Sequence, residues 1–319
     1  MGSRLFAFAL AATIGAALAA PALGSQLITR NPSGTTLQVN AGGVAMVSFR
    51  ANGRSWHVLA KGAINALPPV AGTQQARFRL DYAGGWGFYH KVIWPHFRNA
   101  CRRYDGPTLA NIVATCKAPD GSYWALQRWQ PSLPDLGFAP WLASQRAWNL
   151  QLSHWTGQLA KMELHTDWTY GGRYHEVFGR YTYRGKAVHG LRVTRFGAPL
   201  DGFGRLLYVD THNSKYGKGW RRENSFLFHR SGAFCYDFSY HDPMHNGYTH
   251  PSGYRGGLRG PGIGDRYNLT ADGPGVTPLQ VWEVPDIHNY SGSAADQAYE
   301  QSMNALLQAL SPNDRSCHQ

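Results

Sequence analysis

Apolar and polar residues alternate with a period of two through most of this chain, in short runs bounded by Gly, Pro, Asn and Asp. That is the pattern of antiparallel strands with one wet and one buried face. Near the start, TTLQVN (35–40), VAMVSFR (44–50), SWHVLA (55–60) and ARFRLDYAG (76–84) predict a meander or small sandwich. The last of these sets Phe78, Leu80 and Tyr82 against Arg77, Arg79 and Asp81. DGSYWALQRWQ (120–130) predicts a turn followed by a strand. The middle is the most regular part, with strands over 159–170, 174–185, 187–197 and 204–214. Runs 223–232 and 233–241 then predict a hairpin around Ser231-Gly232, and 278–285 a last strand. Long amphipathic helices between strands are missing, which argues against a βαβ enzyme.

Two stretches carry a helical period. In the segment from Tyr89 to Cys116, Asp105 is a cap candidate and Pro107 suits a helix start. Leu109, Ile112 and Val113 would form its apolar face. Residues 294–310 predict a C-terminal helix that buries Ala298, Met303, Leu306, Leu307 and Leu310. The fold class that follows is mainly β: an antiparallel β-sandwich or barrel-like core with a small disulfide-tied helical insertion and a C-terminal helix. Residues 25–130 form an N-terminal β region with the insertion near 89–117. Pro-rich 131–145 is a linker or packed loop. Residues 146–319 form the main antiparallel core, with a long Gly-rich loop at 241–275, either separately or as one continuous domain with 25–130.

The first 24 residues change the picture. Arg4, an uncharged apolar run from Leu5 to Leu18 and small residues around Ala20 and Gly24 have the order of a cleaved secretory signal. The apolar run is shorter than a membrane span needs. The expected location is therefore secreted or extracytoplasmic, with no transmembrane segment in the mature chain. About 295 residues remain after cleavage, enough for a full core. Cys101, Cys116, Cys235 and Cys317 all lie in that part and should pair in an oxidising compartment. Cys101–Cys116 is the natural local bond, which leaves Cys235 with Cys317. Lys and Arg number 31 against 19 acidic residues, so the mature chain carries about +11. A basic exported protein is drawn to polyanions, among them anionic glycans, envelope polymers and extracellular nucleic acid.

Candidate chemistry falls in three places. Glu163, His165 and Asp167 share one strand face, and Asp210 and His212 share another. If those strands are neighbours, five ionisable groups converge, with Glu176 and His189 able to join them, and a catalytic site becomes conceivable. Lys215, Tyr216, Lys218, Trp220, Arg221 and Arg222 combine charge with rings and suit an anionic glycan or phosphate. His241, Asp242, His245 and His250 are ligand types for a divalent metal, although their spacing fits no standard motif. Trp86, Trp124, Trp129, Trp168 and Trp220 are sugar-stacking candidates that can equally fill a β core. Nucleotide-binding loops, zinc fingers and nucleophile elbows are absent from the chain. The favoured reading is a secreted β protein that binds an anionic extracellular or envelope polymer, or builds a surface structure as a homo-oligomer. The alternative is an extracellular hydrolase or metal-dependent enzyme working from the ionisable strand faces.

Overall fold

The computed structural model describes residues 25–62, 64, 77–129, 148–188, 206–212, 221–226, 232–238, 264–271 and 273–312. They form a mainly β fold of four antiparallel sheets with a C-terminal helix.

The N-terminal half runs β1 (Gln26–Arg30), β2 (Ser33–Val39), β3 (Ala45–Ala51), β4 (Arg54–Gly62), β5 (Phe78–Asp81), α1 (Trp86–Tyr89), a 3-10 turn (Trp94–His96), β6 (Ile112–Lys117), β7 (Tyr123–Trp129) and β8 (Asn149–Trp155). One sheet has the order β1-β8-β7-β6 and the other β2-β3-β4-β5. Alternation decides which side chains lie between them. Ala45, Val47, Phe49 and Ala51 of β3 meet Val58 and Ala60 of β4 and, across the interface, Trp124, Leu126, Leu150 and Leu152. This is a β-sandwich core. Strand β8 follows the Pro-rich stretch but pairs with β7 and β1, so it belongs to this first sandwich rather than to the second.

The disulfide-tied insertion exists, with its helical part upstream of the expected place. Cys101 is bonded to Cys116. The helical turns are Trp86–Tyr89 and Trp94–His96, whereas Ile112 and Val113 lie on strand β6. Asn111 takes a left-handed φ of 54° immediately before that strand, and β-branched Ile112, Val113 and Thr115 suit the sheet edge they occupy. The insertion covers the outer face of the second sheet, where Phe88, Ile93 and Phe97 pack on Val44, Met46 and Leu59.

The C-terminal half runs β9 (Lys161–Thr169), β10 (Tyr174–Tyr183), β11 (Lys186–Ala187), β12 (Leu206–His212), β13 (Arg221–Phe226), β14 (Ala233–Phe238), β15 (Arg266–Ala271), β16 (Gln280–Pro285) and α2 (Ala294–Leu310). The expected hairpin turn at Ser231 lies outside the described residues, and the described strands on either side of it take other partners. Strand β13 pairs with β12, while β14 crosses over to pair with β10. The two resulting sheets are β9-β10-β14 with β11, and β13-β12-β15-β16. They share a core of Val177, Tyr181, Phe234, Leu207, Val209, Tyr267 and Leu269. A buried seam joins the two sandwiches: the Gln127 amide donates to the Leu279 carbonyl at 3.0 Å and accepts its N–H at 3.2 Å.

Helix α2 lies on the outer face of β10 and β14, where Leu307 and Leu310 are buried against Phe178 and Ala233. Each leucine contributes about 1.5–3 kcal/mol of burial. Ala298, expected in that apolar face, is exposed. Ser293 caps the helix by accepting the Asp296 N–H at 3.2 Å. Cys235 is disulfide-bonded, and its expected partner Cys317 lies outside the described residues. Among the described residues, no helix is long and apolar enough to cross a membrane.

Candidate functional site: an aromatic and basic surface

The turn after β5 builds the insertion. Asp81 is buried, and its carboxylate accepts the N–H groups of Ala83 at 2.8 Å, Gly85 at 3.1 Å and Phe88 at 3.1 Å. Gly84 and Gly85 take φ values of 65° and 117°, conformations in which a side chain would be strained. A Cβ on Gly84 would also strike Trp94. The Asp-x-x-Gly-Gly turn therefore lets the following aromatics fold back over the sheet.

This stretch carries large exposed rings. Trp86 is 60% exposed, Tyr82 42%, Trp94 40% and Tyr89 38%. Trp94 is held flat against His57, with centroids 3.9 Å apart and planes 6° from parallel. Burial lowers the His57 pKa below its ordinary 6.5, so the ring is neutral at neutral pH, with Nδ1 2.9 Å from Ser48 Oγ. Arg54, Trp56, Tyr82 and Trp94 surround a groove of about 300 Å³ above this stack. Lys61 and Arg79 lie 5.0 and 4.8 Å from the Phe88 ring centroid. From Tyr82 to Arg103 the chain has Lys91, Arg98, Arg102 and Arg103 and no acidic residue. A rigid ring platform edged with cations can stack a sugar or base and attract an anion.

Sequence patterning named Trp86 as a stacking candidate and could not separate it from its rivals. The structure does so: Trp124, Trp129 and Trp168 are core residues at 0%, 5% and 2% exposure. Tyr82, Trp94 and His57 were not singled out, although a Gly-Gly turn within an aromatic-rich stretch was the available signal. The basic loop residues Lys215, Tyr216, Lys218 and Trp220 lie outside the described residues, and Arg221 and Arg222 begin β13. His241, Asp242, His245, His250 and His189 also lie outside them. Among the described residues, no group of three or more His, Cys, Asp and Glu side chains is placed to hold a metal.

The strands that carry the ionisable faces, β9 and β12, lie in different sheets. Glu163, His165 and Asp167 share the face of their sheet that α2 covers, as the pairing of His165 with buried Phe178 shows. On β12, Leu207 and Val209 are buried in the sandwich core, and His212 alternates onto the opposite outer surface. The sandwich core separates His212 from the β9 set. Among the described residues, Glu163 bonds locally, to His165 Nε2 at 3.2 Å. His212 Nδ1 sits 2.8 Å from Asp265 in its own sheet.

Register assembles a different group. Asp167 stands opposite Glu176, and Glu176 opposite Asp237, which makes a row of three carboxyls across β9, β10 and β14. Asp167 and Glu176 are buried at 1% and 3% exposure, and among the described residues neither Asp167 side-chain oxygen has a hydrogen-bond partner. Burial, with Glu300 of α2 nearby, pushes Asp167 up to about 7. Burial, then the charges of Asp237 and Asp167, pushes Glu176 up to about 9. Asp237 has a solvent-facing surface, yet the packed sheet around its carboxyl still raises it. At neutral pH Glu176 is a neutral acid beneath a helix.

A second buried pair, His175 and Asp286, lies 2.9 Å apart, with the Asp286 carboxylate also accepting the Ile287 N–H at 2.7 Å. It ties the end of β16 to β10. The chain matches no protein-family model, no curated protein and no solved structure, so the reading of these surfaces rests on their own geometry.

Proposed function

We propose that this protein is exported and binds an anionic extracellular or cell-envelope polymer, a glycan in the first instance, through the aromatic and basic surface of the 82–98 insertion. The carrying observation is the exposed Trp94 ring, fixed on His57 in the same insertion as exposed Trp86 and Tyr89, in a stretch without acidic residues. Exposed rings held by a scaffold lose little entropy on binding. The cations supply long-range attraction that salt screens. The export-signal pattern and the disulfides support a location where such polymers occur.

The hydrolase alternative needed Glu163, His165 and Asp167 to meet Asp210 and His212, and His212 lies across the sandwich core from the first three. Binding of the mature, disulfide-intact protein to an immobilised acidic polysaccharide, across a salt series and against a neutral polysaccharide, tests the proposal. Retention that falls steeply with salt and exceeds retention on the neutral polymer supports it. Equal retention on both polymers, or none on either at low salt, overturns it.

A further inference from the structure

Next to the Trp94 platform, a cleft of about 480 Å³ opens between the β2–β3 turn and the insertion. That is the size of an ordinary small-ligand site. Lys91, His96 and Arg98 line it, and among the described residues none of the three has an ion pair or hydrogen bond from its side chain. Its apolar wall is Val92, half exposed, with Phe97 behind. Asn40 and Asn99 complete the polar lining. Their amide oxygens are already engaged: Asn40 Oδ1 accepts the Val44 N–H at 3.0 Å, and Asn99 Oδ1 accepts Val39 N–H at 3.2 Å and Cys101 N–H at 3.1 Å. With those acceptors turned to the backbone, each amide has its NH₂ group to offer as a donor.

The cleft thus combines two unpaired cations, an imidazole and two amides with an apolar wall, and among the described residues no acidic side chain lines it. Its floor is also fixed. The Ala100 N–H donates to the Val39 carbonyl at 2.7 Å, and Cys101 is bonded to Cys116 next to it. A preorganised site with two cations and two amide donors suits an acceptor-rich anion, and the apolar wall suits the C–H face of a ring.

We infer that this cleft is the acid-group subsite of the polymer site, taking a sugar unit that bears one carboxylate or sulfate while a neighbouring unit stacks on Trp94. The inference rests on the binding reading above and adds the class of the recognised unit. The acid group meets Lys91 and Arg98, and the ring lies on Val92.

The test titrates the mature protein with four probes: a tetrasaccharide of uronic acids, a sulfated tetrasaccharide of equal length, a neutral tetrasaccharide and inorganic phosphate. Wild type is compared with Lys91→Gln/Arg98→Gln and with Trp94→Ala. The expected result is that the Lys91/Arg98 variant weakens one or both acidic tetrasaccharides by at least about tenfold, or roughly 1.4 kcal/mol, with its melting temperature unchanged. Which acidic probe loses affinity tells carboxylate from sulfate. Weakening in Trp94→Ala alone would leave the polymer reading standing and overturn the acid subsite. No change in either variant would overturn both. Phosphate or a single-stranded oligonucleotide competing as well as the acidic tetrasaccharides would overturn the sugar assignment.

Discussion

Glu176→Gln removes the proton that the buried carboxyl row has to keep. In the folded protein Glu176 titrates at about 9 against an ordinary 4.5. Between those values the folded state holds a proton that the unfolded chain has released, so stability is fullest below about pH 4.5 and falls as pH rises towards 9. Each pH unit costs about 1.4 kcal/mol, so on the order of 3 kcal/mol is gone by neutral pH from this group alone. Asp167, raised from 3.8 to about 7, loses stability over a lower window. The two sit opposite each other, so their costs are coupled and do not sum. Gln keeps the shape and removes the ionisation. Thermal unfolding by near-UV circular dichroism, from about pH 4 to about pH 9, compares the two proteins. The variant should melt close to wild type at the acidic end. At about pH 8 it should melt roughly 5–10 °C higher, from a gain on the order of 2–4 kcal/mol. Parallel pH profiles for the two proteins would refute the reasoning, because they would mean that Glu176 titrates alike folded and unfolded.

Three further substitutions probe the scaffold. Asp81→Asn weakens the carboxylate that accepts three backbone N–H groups, and should cost about 1–3 kcal/mol in urea unfolding while making Trp86 and Trp94 more accessible to acrylamide quenching. Cys101→Ser with Cys116→Ser opens a loop of sequence separation 15 and should lower stability by about 3 kcal/mol in the same assay. Gly179→Ala would drive a Cβ into the Glu163 carbonyl oxygen of the adjacent strand, and should cost more than about 3 kcal/mol, read as loss of the folded form on size exclusion or an early urea midpoint.

Period-two alternation was enough to place strands such as β3 and β4, because a half-buried strand writes its inner face into every second residue. It failed between Asp105 and Val113, where Leu109, Ile112 and Val113 fit a helical face and an edge strand equally well. Pairing with β7 settled that ambiguity. The turn at Trp86–Tyr89 had no periodic signal, since a single turn is set by the Asp81 carboxylate rather than by its own residues. Ser231-Gly232 looked like a hairpin turn, but the choice of partner for β13 and β14 is a long-range matter that local residues do not encode. The same limit hid the carboxyl row. Asp167 and Glu176 were recognised as ionisable, whereas Asp237 reaches them only through pairing between β10 and β14. Exposed Trp86 and buried Trp124 are equally aromatic in the chain, and only packing tells a platform from a core.

The most direct measurement of the central claim is calorimetric titration of an acidic polysaccharide into the mature protein and into its Trp86→Ala/Trp94→Ala variant, with melting temperatures recorded for both. The account predicts that the variant loses at least about tenfold in affinity while melting within a few degrees of wild type, since Trp86 is 60% and Trp94 40% exposed. Unchanged affinity in a folded variant would contradict it, and would move the binding surface away from the insertion.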